Sequence, residues 1–287
     1  MEAVRAARAA DSATEPGGRM PARLRAVIAA LGKDARRRQK AAEALHLGAG
    51  LAVLAEGPHL LEEAMAAGLT LVAVVATDAA LARPPATRLP SDVPVYAVSP
   101  AGLGRLASTR APQGIVAVVA LDGQRLCLSR ERPWPLGKGG VALALVGVQD
   151  PGNVGSLARS ARAAGAALVA LDGRCARVDD PKTLRASQGA LFSLPTARLA
   201  GLDAIAAARA VGARVVAAVP RGGVAPWHTD LRGPLTLLLG GEGAGLAQAL
   251  VDQADVRVTL PMVAGESLGV AAAGAALLFE RSRQMEG

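Results

Sequence analysis

Short apolar runs alternate with amphipathic segments in the first half of the chain. Residues 51–57, 69–77 and 93–99 are apolar and have the length of strands, while residues 58–68 have the spacing of a helix that Gly68 closes. Strands that alternate with helices in this way are typical of parallel sheets. The pattern therefore predicts a small α/β domain with a mainly parallel sheet.

A second set of alternating segments begins at Val141. Five apolar runs predict strands at residues 141–148, 166–172, 214–219, 235–240 and 255–261. Helical stretches separate these runs, and the order predicts a second, layered α/β domain with a parallel sheet. Periodicity alone gives no information about a knot in the chain.

Shifts in composition predict four parts of the chain. Residues 1–18 are small and polar and end in Pro-Gly-Gly, so we expect a disordered tail. Residues 19–120 form the first domain. Residues 121–140 carry clusters of Arg, Pro and Gly that are typical of a linker, and residues 141–287 form the second domain.

The chain of 287 residues is basic and poor in aromatic side chains. Its formal net charge is +8, and aromatic residues make up 2% of it. This balance favours contact with phosphate backbones over base stacking, although a soluble basic enzyme of another class could share it. The predicted helix at residues 19–48 concentrates the charge and includes Arg36, Arg37, Arg38 and Lys40. We expect these four residues to bind RNA, with a solvated helix face as the alternative.

Cysteine content and the length of the apolar runs disfavour several classes of protein. Cys127 and Cys175 lie far apart without ligand spacing, which disfavours a disulfide framework and a metal site and fits a reducing cytoplasm. The longest apolar stretch, residues 269–279, is too short to span a bilayer. The first residues contain no apolar signal core, so we expect no export.

A turn rich in glycine follows the first strand of the second domain. An NAD-binding fold would place Gly-x-Gly-x-x-Gly here, whereas this chain has Gly147, Gly152 and Gly155 with Asp-Pro inserted, so that fingerprint is absent. The following helix is expected to start near Val154, and Asn153 is suited to cap it. Two arginines lie further along this helix on a similar face, which suits a functional pair or a solvated face; they are Arg159 and Arg162.

Four glycines surround a carboxylate at the end of the strand at residues 235–240. Gly240, Gly241, Gly243 and Gly245 allow the backbone to approach a ligand closely. Glu242 is unsuited to a loop that cradles phosphates, and no Lys-Ser/Thr pair follows it, which disfavours a nucleoside triphosphate. A sulfonium tolerates a nearby carboxylate, so the loop favours S-adenosylmethionine as the cofactor.

A third segment, VTLPMVAGESLGVAAAGAALLFE from Val258, again joins a strand, a turn and a helix start. In order and spacing, the motifs that begin at Val141, Leu235 and Val258 resemble those of the SpoU/TrmH branch of knotted RNA methyltransferases, including antibiotic-resistance enzymes of 23S rRNA such as the avilamycin-resistance enzyme. The resemblance covers residues 141–287 strongly and residues 19–115 more loosely. It implies a trefoil-knotted catalytic domain, a homodimer, S-adenosylmethionine as cofactor and methylation of an RNA ribose 2′-hydroxyl.

The looser part of the resemblance concerns the first domain. A basic helix leads into a strand that ends in Glu56-Gly57, and Gln113-Gly114 precedes a junction strand, as in the substrate-binding domains of many SpoU-type enzymes. Such a domain is common in enzymes that act on 23S rRNA. The resemblance therefore implies 23S rRNA as the partner, with antibiotic resistance as a possible role and tRNA as the alternative substrate.

The resemblance also assigns catalytic residues, which are Asn153, Arg159, Glu242 and Ser267. We expect Arg159 to orient the ribose hydroxyl and stabilise the developing alkoxide, because a deprotonated guanidinium is costly; a role as the base is the alternative. Glu242 and Ser267 would orient Arg159 or the cofactor, and Asn153 would hold the turn.

The remaining site residues are expected to bind cofactor and RNA. Cofactor contacts are expected at Leu239, Gly240, Gly241, Gly243, Leu260, Met262 and Leu268. RNA contacts are expected at Arg110 and Arg185, in addition to the basic segment. Arg185 lies in an Arg-Ala-Ser-x-Gly-Ala stretch that resembles the family's, where a contact between subunits, or a plain helix start with Ser187 and Gln188 facing solvent, is the alternative.

The third motif departs from the family pattern at two positions. Relatives typically read Ser-Leu-Asn-Val-Ser where this chain has Ser267, Leu268, Gly269, Val270 and Ala271. The missing amide and hydroxyl ordinarily help to position cofactor or substrate. A non-catalytic RNA-binding or ribosome-assembly protein is therefore the rival hypothesis, and binding of S-adenosylmethionine discriminates between the two.

Overall fold

The computed structural model describes residues 20–31, 51–121, 127–128, 133–265 and 268–286. In chain order, the described strands are β1 (Leu51–Glu56), β2 (Thr70–Ala76), β3 (Val95–Ala97), β4 (Ile115–Leu121), β5 (Cys127–Leu128), β6 (Val141–Val146), β7 (Leu168–Leu171), β8 (Thr196–Arg198), β9 (Arg214–Ala218), β10 (Leu235–Gly240) and β11 (Val256–Val258). The described helices are α1 (Ala22–Leu31), α2 (Pro58–Ala66), α3 (Asp78–Leu81), α4 (Pro100–Leu106), α5 (Pro151–Ala163), α6 (Pro181–Ser187), α7 (Gly201–Ala210), α8 (Gln248–Val251) and α9 (Val270–Glu286).

The chain divides into two compact units. The first unit contains Met1–Arg125 and Asp179–Phe192, and the second contains Leu126–Val178 and Ser193–Gly287. The sequence assigned the segment Asp179–Phe192 to the second domain, and the structure corrects this assignment. The reason is that α6 buries Leu184 within the first unit, while Arg185 forms an ion pair with Glu56 at the end of β1.

The first unit contains a four-stranded sheet in the order β1-β4-β2-β3. Strand β4 is antiparallel to both β1 and β2, and only β2 and β3 pair in parallel. The predicted mainly parallel sheet is therefore wrong. The alternation of strands and helices correctly places β1, β2 and β3 in one direction, but β4 returns in the opposite direction and inserts between β1 and β2.

Helix α1 covers one face of this sheet with apolar side chains. Met20, just before the helix, and Leu24 and Ile28 within it are buried in a cluster with Leu54 of β1 and Leu103 of α4. The rest of the basic segment, with Arg36, Arg37, Arg38 and Lys40, lies outside the described residues, as does the expected tail 1–18.

The second unit contains a seven-stranded sheet in the order β11-β9-β10-β6-β7-β8-β5. Every pairing in it is parallel, which confirms the predicted parallel sheet and all five predicted strands. Every residue of β6 is buried, as expected for a strand that helices cover on both faces. Helix α9 approaches α5 closely at Gly274, where a Cβ atom would lie 2.3 Å from Cδ2 of Leu157.

The sequence missed the two short strands at one end of this sheet. Strand β8 has three residues, and β5, which has two, pairs with it inside the segment expected to be the 121–140 linker. Trp134 from the same segment is only 4% exposed and belongs to the core of the second unit. The linker is thus shorter than expected, because apolar side chains within it complete the sheet and its core.

The three motif segments end at one edge of the seven-stranded sheet. Strands β6, β10 and β11 are parallel, so the turns that follow them all lie at the carboxyl edge. The chain runs from β6 outward to β7 and β8 and then crosses to β9 and β10 on the other side of β6. Ligand sites of open α/β sheets lie at such a reversal, outside the carboxyl ends of the strands. Among the described helices, none is long and apolar enough to cross a membrane.

Candidate active site

The turn after β6 brings one predicted catalytic residue to the carboxyl edge. Asp150, rather than Asn153, caps α5: its side chain accepts a hydrogen bond from the Asn153 backbone N–H at 3.0 Å. The helix begins at Pro151 and not near Val154, because proline is suited to the first helical position. The Asn153 amide is thereby left for another partner, and it donates a hydrogen bond from Nδ2 to Oε1 of Glu242.

The loop after β10 is held against the first turn through its own backbone. Gly241 donates its N–H to the Val146 carbonyl at 2.8 Å, and a Cβ atom at Gly241 would lie 1.9 Å from the Gly147 oxygen. A Cβ atom at Gly240 would lie 2.2 Å from the carbonyl carbon of Gly245. These two glycines were expected to admit a ligand. A side chain at either position would also clash with the loop itself or with the turn after β6, and their contact with the cofactor stays a prediction.

The hydrogen bond between Asn153 and Glu242 joins two of the four predicted catalytic residues. Arg159 is exposed on α5, and within the described ranges it has no hydrogen bond or ion pair with either of them. Ser267 lies outside the described residues, as does Glu266. The structure therefore links the first and second motifs through side chains and leaves the guanidinium of Arg159 accessible.

The predicted cofactor residues fall into two groups. Leu239 is only 2% exposed and contacts α9, so its side chain belongs to the core. Leu260 and Met262 are half-buried in the segment after β11, and Leu268 is 46% exposed just before α9. Gly243 has a φ of +84° with open space at its Cβ position.

These surroundings fit S-adenosylmethionine. An adenosine binds between apolar side chains and is recognised by backbone groups, and the segment after β11 and the glycine loop after β10 offer groups for these two roles. Glu242 is exposed on this loop, and its carboxylate would suit a positively charged sulfonium. In the described part of the chain, no cluster of three or more His, Cys, Asp or Glu side chains could hold a metal ion.

A turn after β7, which the sequence reading did not single out, supports the first motif. Asp172 is buried, and its Oδ1 accepts the backbone N–H groups of Gly147, Arg174 and Cys175, each at 3.0 Å. Burial by itself raises the pKa of Asp172, but the hydrogen bonds from Gly147, Cys175 and Arg174 outweigh it, so the pKa lies below its ordinary value. Burial also raises the pKa of the Cys175 thiol to about 11, so this thiol stays protonated.

The predicted RNA-binding arginines of the first unit differ in their contacts. Arg110 is exposed in the loop before β4. Arg185 is held inside the unit: its Nη1 donates to Oγ of Ser108 at 2.6 Å and lies 3.4 Å from Oε2 of Glu56. Ser187 is buried and donates to the Leu184 carbonyl, so the solvent-facing alternative is wrong for this residue. The buried carboxylate of Glu56 gives Arg185 a structural partner without RNA.

Comparison with known protein families gives two matches along the chain. Residues 140–279 match the model of the SpoU rRNA methylase family, and residues 50–117 match that of the MRM3-like substrate binding domain. The first match contains all three motifs, and the second lies within the first unit.

Individual relatives and solved structures agree with these matches. The 23S rRNA (guanosine(2553)-2′-O)-methyltransferase RlmP of Bacillus subtilis is 31% identical over 231 residues, which cover 79% of this chain and 86% of RlmP. The 23S rRNA (uridine(2479)-2′-O)-methyltransferase of Streptomyces viridochromogenes is 39% identical over 142 residues, 47% of this chain and 50% of that protein. The crystal structure of the SpoU methyltransferase AviRb from the same organism, in complex with AdoMet, superposes with a TM-score of 0.76 at 29% identity and covers 93% of this chain and 99% of AviRb.

Proposed function

Because the chain belongs to the SpoU rRNA methylase family, we propose that it methylates a ribose 2′-hydroxyl of 23S rRNA. It is an S-adenosylmethionine-dependent RNA 2′-O-methyltransferase, as the resemblance of its three motifs implied. The choice of 23S rRNA over tRNA is supported by RlmP and the Streptomyces relative, which are both named as 23S rRNA 2′-O-methyltransferases. The match to a substrate-binding domain supports a role of the first unit in holding the RNA.

One observation carries the proposal for the site: the side-chain hydrogen bond from Asn153 to Glu242 across the carboxyl edge. It connects the turn after β6 to the glycine loop after β10, at the reversal of strand order where α/β sheets bind ligands. Gly240 and Gly241 fix the path of that loop sterically. The edge is therefore preorganised, and a preorganised polar site stabilises developing charge without reorganising during the reaction.

The bound cofactor supplies a methyl group on a positively charged sulfonium, and the residues of the chain prepare the acceptor. A ribose hydroxyl is a weak nucleophile, so the site must stabilise the oxygen while its proton passes to water or to a base. Arg159 carries a permanent positive charge on the exposed face of α5, and we assign it to orient the hydroxyl and stabilise the alkoxide. Glu242 fixes the Asn153 amide and adds a carboxylate to the loop proposed for the cofactor. Ser267 is proposed to complete the site.

The proposal extends to three further properties. We propose that the loop after β10 is part of a trefoil knot, which the tight packing of Gly240 and Gly241 supports. We also propose a homodimer and a cytoplasmic location beside its ribosomal substrate, on the basis of the resemblance. Protection from a ribosome-targeting antibiotic stays a prediction, which the drug sensitivity of a deletion strain tests.

The experiment that tests the function maps ribose methylation on ribosomal RNA from cells with and without the gene. One 2′-O-methyl group on 23S rRNA should disappear in the deletion strain and return when the wild-type gene is restored. Calorimetric titration of the purified protein with S-adenosylmethionine should give saturable binding. If methylation of 23S rRNA is unchanged in the deletion strain and a methyl group on tRNA is lost, then tRNA is the substrate. No cofactor binding and no lost methyl group would favour the non-catalytic rival suggested by Gly269 and Ala271.

A further inference from the structure

The turn after β7 presents an exposed guanidinium at the edge where the proposed site lies. Arg174 donates from Nε to Oδ2 of Asp172 at 3.1 Å, and its side chain is 66% exposed while that of Asp172 is 8% exposed. Its guanidinium also lies over Gly147, the residue that follows β6: a Cβ atom there would be 3.6 Å from Nη2 of Arg174. The charged group is thus oriented by a buried carboxylate beside the first motif.

A second arginine lies next to the first on the neighbouring strand. Arg198 ends β8 as the register partner of Leu171, is exposed, and donates from Nη2 to the Gly173 carbonyl at 3.4 Å. The two side chains therefore flank Gly173 at the carboxyl ends of β7 and β8. Neighbouring strands are about 4.8 Å apart, so these strand ends lie roughly 5 and 10 Å from the end of β6.

Stability of the turn does not explain why Arg174 is held there. Oδ1 of Asp172 already accepts three backbone N–H groups, so the turn is closed without the arginine. Because the Arg174 guanidinium is largely solvated, its side-chain bond to Asp172 adds little, about 0–1 kcal/mol. The Nε contact to Asp172 leaves the two terminal amino groups of Arg174 for another acceptor. Preorganised guanidinium groups of this kind suit phosphate oxygens, which accept two parallel hydrogen bonds.

We propose that Arg174 and Arg198 form a phosphate-binding pair that positions the RNA backbone beside the site of methyl transfer. This inference rests on the proposed function and extends it, because it assigns the β7–β8 side of the carboxyl edge to the RNA strand. The opposite side, toward β10, carries Glu242 and the glycine loop proposed for the cofactor. The two ligands therefore occupy parts of the edge with opposite charge.

The chain contains a matched control for Arg174 on the same sheet. Asp230 and Arg232 repeat the Asp-x-Arg spacing, Nε of Arg232 donates to Oδ1 of Asp230 at 2.9 Å, and the Arg232 side chain is 64% exposed. This second turn precedes β10 and lies at the amino edge of the sheet, away from the three motifs. Removal of either arginine takes away one exposed positive charge from a comparable ion pair.

The test compares wild-type protein, Arg174→Ala, Arg198→Ala and Arg232→Ala for binding to an unmodified 23S rRNA transcript over a series of salt concentrations. Each of the first two variants should weaken binding about tenfold, as expected for a lost hydrogen bond to a charged group. Each should also reduce the magnitude of the slope of log affinity against log salt concentration by about 0.7. This is the change expected when one phosphate contact to a single strand is lost. Arg232→Ala should match wild type, and affinity for S-adenosylmethionine should be unchanged in all three.

Other outcomes overturn the proposal in distinguishable ways. Equal losses of RNA affinity in Arg174→Ala and Arg232→Ala would show a general charge effect. RNA binding by Arg174→Ala that is as tight as that of wild type would rule out a phosphate contact at Arg174. A loss of cofactor affinity without a change in salt slope would assign the guanidinium to the cofactor. Arg198→Ala leaves the Asp172 turn intact, so its result holds even if Arg174→Ala unfolds. In each of these cases wild-type methylation of 23S rRNA would leave the proposed function standing, whereas wild-type protein that binds no RNA overturns both.

Discussion

The two edges of the seven-stranded sheet use similar residues in different ways. At the carboxyl edge, polar side chains connect turns that follow different strands: Asn153 reaches Glu242, and Asp172 accepts the N–H of Gly147. At the amino edge, Asp230 bonds to Arg232 two residues away, and Arg214 of β9 donates to the backbone carbonyls of both residues. Because side chains of two separate turns bond to each other there, the carboxyl edge holds polar groups in fixed relation, as the proposed site for two ligands requires.

The amino edge is instead fastened by the end of helix α9. Arg281 donates from Nη2 to the Gly139 carbonyl, and Gln284 accepts the N–H of Leu231 at 2.8 Å. Burial lowers the pKa of Arg281, whose Nε has no hydrogen-bond partner in the part of the chain that the structure describes. These contacts satisfy backbone groups and close the end of the sheet. The two edges differ in that side chains of separate turns bond to each other at the carboxyl edge, whereas at the amino edge side chains from other segments bond backbone groups.

The largest expected effect is on the rate of methyl transfer, which should fall for a substitution on α5 but not for one at the amino edge. Arg159→Ala should reduce methyl transfer on the order of 10²–10³-fold, because removal of a group that stabilises an oxyanion typically has this effect. Affinity for S-adenosylmethionine should stay within a few-fold, since Arg159 is assigned to the acceptor hydroxyl and not to the cofactor. Arg232→Ala at the amino edge should retain wild-type turnover. Single-turnover kinetics with 23S rRNA and calorimetry measure the two quantities, and near-normal turnover of Arg159→Ala would remove its assigned role.

A smaller effect is expected from a single methyl group in the glycine loop. Gly241→Ala places a Cβ atom 1.9 Å from the Gly147 oxygen, a backbone atom that cannot rotate away. The loop must shift, and overpacking of this kind costs about 1–3 kcal/mol. We expect a lower midpoint of urea unfolding and weaker binding of S-adenosylmethionine.

Gly137→Ala is the control for this substitution at the amino edge. Nothing lies within 4 Å of its Cβ position, and we expect no measurable change in either quantity. Both tryptophans, Trp134 and Trp227, lie in the second unit, so their fluorescence follows the unfolding of this unit alone. Normal stability and cofactor affinity in Gly241→Ala would mean that the loop is free to move.

Residue patterns predicted the second unit better than the first. Its strands β6, β7, β9, β10 and β11 are apolar runs separated by helices, and parallel pairing follows from that order. In the first unit the same alternation gave the direction of three strands but not the insertion of β4, since strand order depends on packing between distant segments. Strands β5 and β8 are too short to produce a periodic signal.

Residue type in the sequence singled out two side chains that the structure brings together. Contacts that depend on packing between distant segments were missed. Asn153 and Glu242 stand out in the sequence because a structural turn has no need of them, and the structure bonds them together. Asp150 was overlooked as the cap, since both Asp150 and Asn153 suit that position. Local sequence around Asp172 and Arg174 indicates only a turn, because the N–H of Gly147 that completes it comes from another strand.

The smallest expected effect is on the free energy of unfolding, and it distinguishes the two Asp-x-Arg turns. Asp172→Asn keeps an oxygen for the three backbone N–H groups but loses the charge that strengthens these hydrogen bonds, so we expect a loss of about 1 kcal/mol at neutral pH. Asp230→Asn should have a smaller effect, because the Asp230 side chain is 54% exposed and its hydrogen bonds compete with water. Urea unfolding followed by tryptophan fluorescence measures both.

The pH dependence of the difference between wild type and Asp172→Asn identifies its cause. Hydrogen bonds hold the pKa of folded Asp172 below its value in the unfolded chain, which is about 3.9. The charged carboxylate therefore stabilises the fold fully above that unfolded value, and this contribution is lost as the pH falls through the folded pKa. The stability difference between wild type and Asp172→Asn should be constant from pH 7 to about 5 and should narrow below about pH 4. A difference that persists unchanged at lower pH would assign the loss to packing of the amide rather than to the charge. In that case the turn would hold Arg174 by shape alone, and the contrast between the two edges would rest on the bonds from Asn153 to Glu242 and from Gly147 to Asp172.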